Sequence, residues 1–102
     1  MSELKKIREV TPLEGHWLRI SFTDGAVMEI DLHHVLATGR VFAEIRNRRD
    51  VFEQVRVNPE TETVEWPGEV DLDPDVLYGS FEPASGERIE RRIIEQPERA
   101  HA

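Results

Sequence analysis

Apolar and polar residues alternate along two early stretches of the chain, which follow a short first strand, Ile7 to Pro12, ended by Pro12. In the second stretch, Leu18, Ile20 and Phe22 alternate with Arg19, Ser21 and Thr23. In the third, Met28, Ile30 and Leu32 alternate with Glu29 and Asp31. A period of two puts one residue type on each face of a strand, so these stretches read as strands with one wet face. Asp24-Gly25 separates the second from the third, and glycine supplies the positive φ that a two-residue hairpin requires. The three strands are therefore expected to form an antiparallel meander.

The period then changes. Leu32, Val35 and Leu36 have the i, i+3, i+4 spacing of a helical face, and Gly39 is placed to end that helix. Val41, Phe42 and Ile45 predict a second helix from about Arg40 to Arg48, both helices covering one face of the sheet. Asp50 to Phe52 reads as a turn with Phe52 buried, and Gln54 to Asn58 as a strand carrying Val55 and Val57. Asn58-Pro59-Glu60 turns the chain into a hairpin partner, Thr63 to Trp66. Pro67 lacks the next backbone donor and Gly68 permits a turn, so the strand ends there. Asp73 followed by Pro74 has the form of a helix N-cap with proline at the first helical position. One helical turn, Pro74 to Tyr78, would return Leu77 and Tyr78 to the apolar face that receives Trp66.

Gly79 to Gly86 reads as a linker. Ser85 is placed to cap a helix from Glu87 to Gln96 with Ile89 and Ile93 as a thin apolar stripe, and Glu98 to Ala102 is expected to be disordered. The fold class that follows is α+β: a small antiparallel sheet of about five strands, meander plus hairpin, with two or three short helices and a flexible C-terminal tail. Residues 1–80 would be the compact domain and residues 81–102 the linker and tail.

Length agrees with one domain, since 102 residues support a single core. With 38% hydrophobic and 33% charged residues, that core is small and the solvated surface generous. The absence of cysteine excludes disulfides, thiolate metal sites and a cysteine nucleophile. No apolar run approaches the roughly 18 residues that cross a bilayer, and the first residues lack a signal peptide's apolar core. A cytoplasmic protein without membrane contact is expected.

The net charge of −8 is unevenly placed. Residues 1–50 hold eight Lys or Arg against eight Asp or Glu, whereas residues 51–102 hold five against thirteen. Between Arg56 and Arg88 no side chain is basic. Direct nucleic-acid binding by that half would bring like charge to like, so it is not expected, and a small basic protein is the natural partner.

Asp71, Asp73 and Asp75 with Glu82 have the spacing of a calcium loop, but Val76 stands at the sixth position where glycine is needed and Pro74 lies inside. Capping and enrichment of a helix N-terminus account for them better, and no metal or cofactor site is expected. His33 and His34 are adjacent and so diverge on a helix, unlike a zinc pair. His16 has many carboxylates available but no spacing that selects one. Arg40, Arg46, Arg48 and Arg49 form the basic cluster, with no aromatic residue interleaved, which is the pattern of a solvated helix end. Trp17 and Trp66 read as core or core-edge residues.

Taken together, Asp24-Gly25, Asp31-Leu32, Gly39, Phe42, Phe52, Val55 and Val57, Val64-Glu65-Trp66-Pro67, Asp71-Leu72, Pro74 and Leu77-Tyr78 give the chain a pattern that resembles the bacterial family catalogued as domain of unknown function 2442. The resemblance spans about Ile7 to Tyr78. It implies a compact α+β domain, sometimes fused to a helix-turn-helix segment, with no established activity and no catalytic residues to carry over. It also implies pairing with another small protein in arrangements similar to toxin–antitoxin pairs. The chain departs from the family pattern at Glu69-Val70, where a glycine and a small residue are usual, and in its longer tail.

The expected function is that of a non-enzymatic protein-binding module, antitoxin-like in character. Its interface would comprise Glu60, Glu62, Glu65, Glu69, Asp71 and Asp75, with Ile89 and Ile93 becoming ordered on the partner. The composition is equally compatible with a homo-oligomer. Two competing functions are a small enzyme pairing His16 or His33 with a carboxylate, and an accessory DNA-binding component acting through Arg46 to Arg49.

Overall fold

The computed structural model describes residues 5–37, 39–79 and 89–97. Three strands come first, β1 (Ile7–Pro12), β2 (Trp17–Phe22) and β3 (Val27–Asp31), paired antiparallel as expected. Leu18 lies opposite Ile30, and Ile20 lies between Val10 and Met28. This register collects Leu18, Ile20, Phe22, Met28 and Ile30 on one buried face. Each such side chain stabilises the fold by about 1.5–3 kcal/mol relative to exposure. The turn between β2 and β3 is wider than two residues: Phe22 N–H donates to Ala26 O at 2.8 Å, and Asp24 Oδ1 accepts from Ala26 N–H at 2.9 Å.

Short helices cover this face. They are α1 (His33–Leu36), α2 (Ala43–Asn47), which a 3-10 turn at Arg40–Phe42 precedes, and α3 (Arg49–Phe52). Leu32, Leu36, Ile45 and Phe52 are buried beneath them, whereas Val41 stands 60% exposed and takes no part in the packing expected of it. Asp50 to Phe52, read as a turn, is helical.

A second sheet, of order β4-β5-β6, is built from Arg56–Asn58, Thr63–Trp66 and Val70–Asp71. The α+β class holds, but seven strands are divided between two sheets where one sheet of about five was expected. The short strand β6 follows the Pro67-Gly68 turn and has little apolar character to announce it. Ile7 N–H donates to Glu62 O at 2.8 Å and links the two sheets. Trp66 is 1% exposed, and its indole N–H donates to Phe52 O at 3.0 Å. Helix α4 (Pro74–Tyr78) starts as read: the Asp73 carboxylate accepts from Asp75 N–H, and Pro74 occupies the first turn.

The helix expected from Glu87 to Gln96 is not formed. Glu90–Glu95 is strand β7, antiparallel to β3, which makes the first sheet β1-β2-β3-β7. A ten-residue helix is marginal in isolation, and pairing with the open edge of β3 supplies hydrogen bonds and a place for the β-branched Ile93 and Ile94. Arg91 secures the arrangement from beneath: its guanidinium donates to Leu77 O at 2.8 Å and Val76 O at 2.5 Å, the last carbonyls of α4. The expected linker, Ser85 cap and terminal disorder lie outside the described residues. Among the described residues no helix is long and apolar enough to cross a membrane.

Candidate nucleic-acid interface

The β1–β2 loop, α2, α3 and β7 converge on one groove. Arg49, on α3, donates to the carbonyls of Leu13 and Gly15 in that loop and to Glu53 at 2.9 Å, and its guanidinium lies 5.0 Å from the centre of the Phe52 ring. His16 sits at the end of the same loop, 5.3 Å from Phe52 and stacked on His33 at 5.9 Å. Its Nε2 lies 3.3 Å from Arg46 O, and Arg46 Nη1 donates to Leu36 O at 2.6 Å, capping α1. These contacts wall a cleft of about 450 Å³ between loop and helices.

A second cleft, of about 540 Å³, shares Glu14 and Arg49 with the first and extends to Trp17. Arg92, from β7, lies over the Trp17 ring at 4.3 Å, and its Nη1 is 3.8 Å from Glu29. Glu29 also accepts from Arg19 at 2.7 Å. The two adjoining clefts thus set two partly exposed rings, His16 and Trp17, beside the guanidinium groups of Arg46, Arg49 and Arg92 and the carboxylates of Glu14 and Glu29, with Phe52 buried beneath. Such a surface can stack planar bases while attracting anionic phosphates.

The family model for a protein of unknown function, DUF2442, matches residues 7–83. The chain belongs to the DUF2442 family. No curated protein matches it. Among solved structures it is similar to the crystal structure named "putative DNA binding protein NE0471" from Nitrosomonas europaea ATCC 19718. The two are 26% identical with a TM-score of 0.65, over 76% of this chain and 50% of that one, so the match spans about half the length of that protein. This corrects the expectation that nucleic-acid binding is unlikely, and it offers no support for a basic protein as the partner. That expectation rests on net charge and on arginines without interleaved aromatics in the sequence. Folding sets rings beside them in space, and no linear spacing joins Trp17 to Arg92.

The acidic residues expected to make an interface in this DUF2442 member differ in exposure. Glu60, Glu69 and Asp71 are exposed, and Glu62 is half-buried and paired with Lys6 at 3.4 Å. Glu65 is held within the second sheet, between Asn58 Nδ2 at 2.8 Å and Arg56 Nη2 at 3.1 Å. The hydrogen bond from Asn58, then that from Arg56, keeps its carboxyl below the usual glutamate range. Asp75 is 7% exposed and accepts from Lys5 N–H at 3.2 Å, so it faces the interior. Ile89 is buried, while Ile93 is half exposed on β7. Glu82 lies outside the described residues; among them no three His, Asp or Glu side chains cluster as metal ligands would.

Proposed function

We propose that this domain is an accessory, non-catalytic component of a DNA-binding assembly and that its groove holds unpaired nucleotides of a single strand. The placing of the His16 and Trp17 rings beside Arg46, Arg49 and Arg92 carries the reading. Helices α1 to α4 have only four or five residues each, too short to lie along a major groove as a recognition helix does, which favours stacking over duplex readout. Residues 56–78, the second sheet with its turns and α4, carry seven carboxylates against one arginine and do not line the groove, where the carboxylates are Glu14 and Glu29. The name of the Nitrosomonas protein is a further support. An acidic protein-binding surface has less in its favour, because Asp75 and Ile89 are buried and Glu65 is already paired.

Fluorescence anisotropy of the full chain with a labelled single-stranded oligonucleotide tests this. Trp17→Ala should weaken binding about 5- to 150-fold, the loss of one stacked base. Arg92→Ala should lower the slope of log affinity against log salt by about 0.7. Base stacking should also quench the fluorescence of Trp17 while leaving the buried Trp66 unaffected. Failure to bind at low salt, or binding that Trp17→Ala leaves unchanged, would overturn the reading.

A further inference from the structure

Strand β7 is the outer strand of its sheet: one edge pairs with β3, and among the described residues no strand pairs with the other. Open edges are usually shielded by charge, proline or a bulge; this one has four charged residues and a bulge, and it still carries Ile93 at 48% and Ile94 at 49% exposure. The pairing of Met28 with Ile93 and Val27 with Glu95 leaves Ile94 as the extra residue of a bulge. A bulge sets two residues against one, so Ile93 and Ile94 both oppose Met28 on the inner side of the sheet. Arg92, opposite Glu29, and Glu95, opposite Val27, lie on the outer side.

We propose that this edge pairs antiparallel with the same edge of a second copy of the chain, giving a two-fold dimer with one continuous eight-stranded sheet. One register satisfies both faces. It sets Ile93 opposite Ile94 of the second copy on the inner side and Arg92 opposite Glu95 of the second copy on the outer side, and the two-fold axis repeats each pair. Cross-strand pairs of apolar and of oppositely charged side chains are the unit of sheet stabilisation. A slip of one residue opposes Arg91, on the inner side, to Glu95, on the outer side, and a slip of two opposes Glu90 to Glu95, like to like. The charge order of Glu90 to Glu95 therefore selects its own copy in one alignment. This inference stands on the strand edge and not on the nucleic-acid reading.

Sedimentation of the full chain from about 1 µM to about 1 mM covers the range in which such an edge should associate. A monomer–dimer equilibrium is expected, weakened about 2- to 30-fold by Ile94→Lys, which spoils two apolar pairs per dimer. Glu95→Arg should weaken it as well, by facing two arginines across the axis. The double variant Arg92→Glu, Glu95→Arg should recover most of the loss, because it restores opposite charges in exchanged positions. All these side chains are exposed, and circular dichroism verifies that each variant is folded. A monomer at every concentration, a dimer indifferent to Ile94→Lys, or a double variant no better than Glu95→Arg would each overturn the proposal.

Discussion

Tyr78 is the chain's only tyrosine, so its ionisation can be read without ambiguity. Its hydroxyl donates to Asp24 Oδ2 at 2.6 Å, joining α4 to the β2–β3 turn, and its ring meets Phe22 edge to face at 4.8 Å. Burial, then the hydrogen bond to Asp24 and the negative charge of that carboxylate, push its pKa from 10 up to about 12. Because the folded value is raised, the stabilisation is complete below about pH 10 and is lost as pH rises through about 12. The burial part of that rise penalises the tyrosinate and adds nothing to the neutral form, so at neutral pH only the hydrogen bond to Asp24 bears on stability. Tyr78→Phe removes that bond and should cost about 1 kcal/mol, a fall in Tm of about 4–8 °C. Tyrosinate absorbance after a rapid pH jump, read before unfolding, should give a midpoint near 12. Asp24→Asn should lower it only part of the way, since burial is the largest cause. A wild-type midpoint near 10, or one that Asp24→Asn leaves unmoved, would refute the reasoning.

Two further predictions concern the framework. Trp66→Phe removes the indole donor from the buried Phe52 carbonyl and leaves a small void, at a cost of about 2–4 kcal/mol in denaturant unfolding. A loss under about 1 kcal/mol would mean that the bond contributes little. Arg91→Ala frees the Val76 and Leu77 carbonyls and should cost about 2–3 kcal/mol. Amide exchange should then accelerate more in β7 than in β2, and equal acceleration would show that Arg91 does not specifically hold that strand.

What is legible in the sequence is local. Period-two alternation locates β2, β3 and β5, and the Asp73-Pro74 pair locates α4, because each signal is complete within a few residues. The failures lie where a distant partner decides the outcome. Glu90 to Glu95 has helical spacing at Ile89 and Ile93, but a strand likewise places residues four apart on one side, and β3 offers an unpaired edge. Asp75 looks like one more surface carboxylate until Lys5 N–H is found beside it. The groove is illegible for the same reason: its arginines come from α2, α3 and β7 and its exposed rings from the β1–β2 loop and β2.

The same long-range pairing ties the candidate site to the last strand. Arg91 and Arg92 are neighbours on β7 and so project to opposite sides of the sheet. Arg91 reaches inward to the end of α4, while Arg92 reaches outward over Trp17. Docking of β7 thus completes the α4 cap and one wall of the groove in a single step. Without that strand, the Val76 and Leu77 carbonyls lose their guanidinium donor and Trp17 loses the cation above it. Order in the last strand and competence of the groove should therefore rise and fall together, although Arg91 lines neither of the clefts.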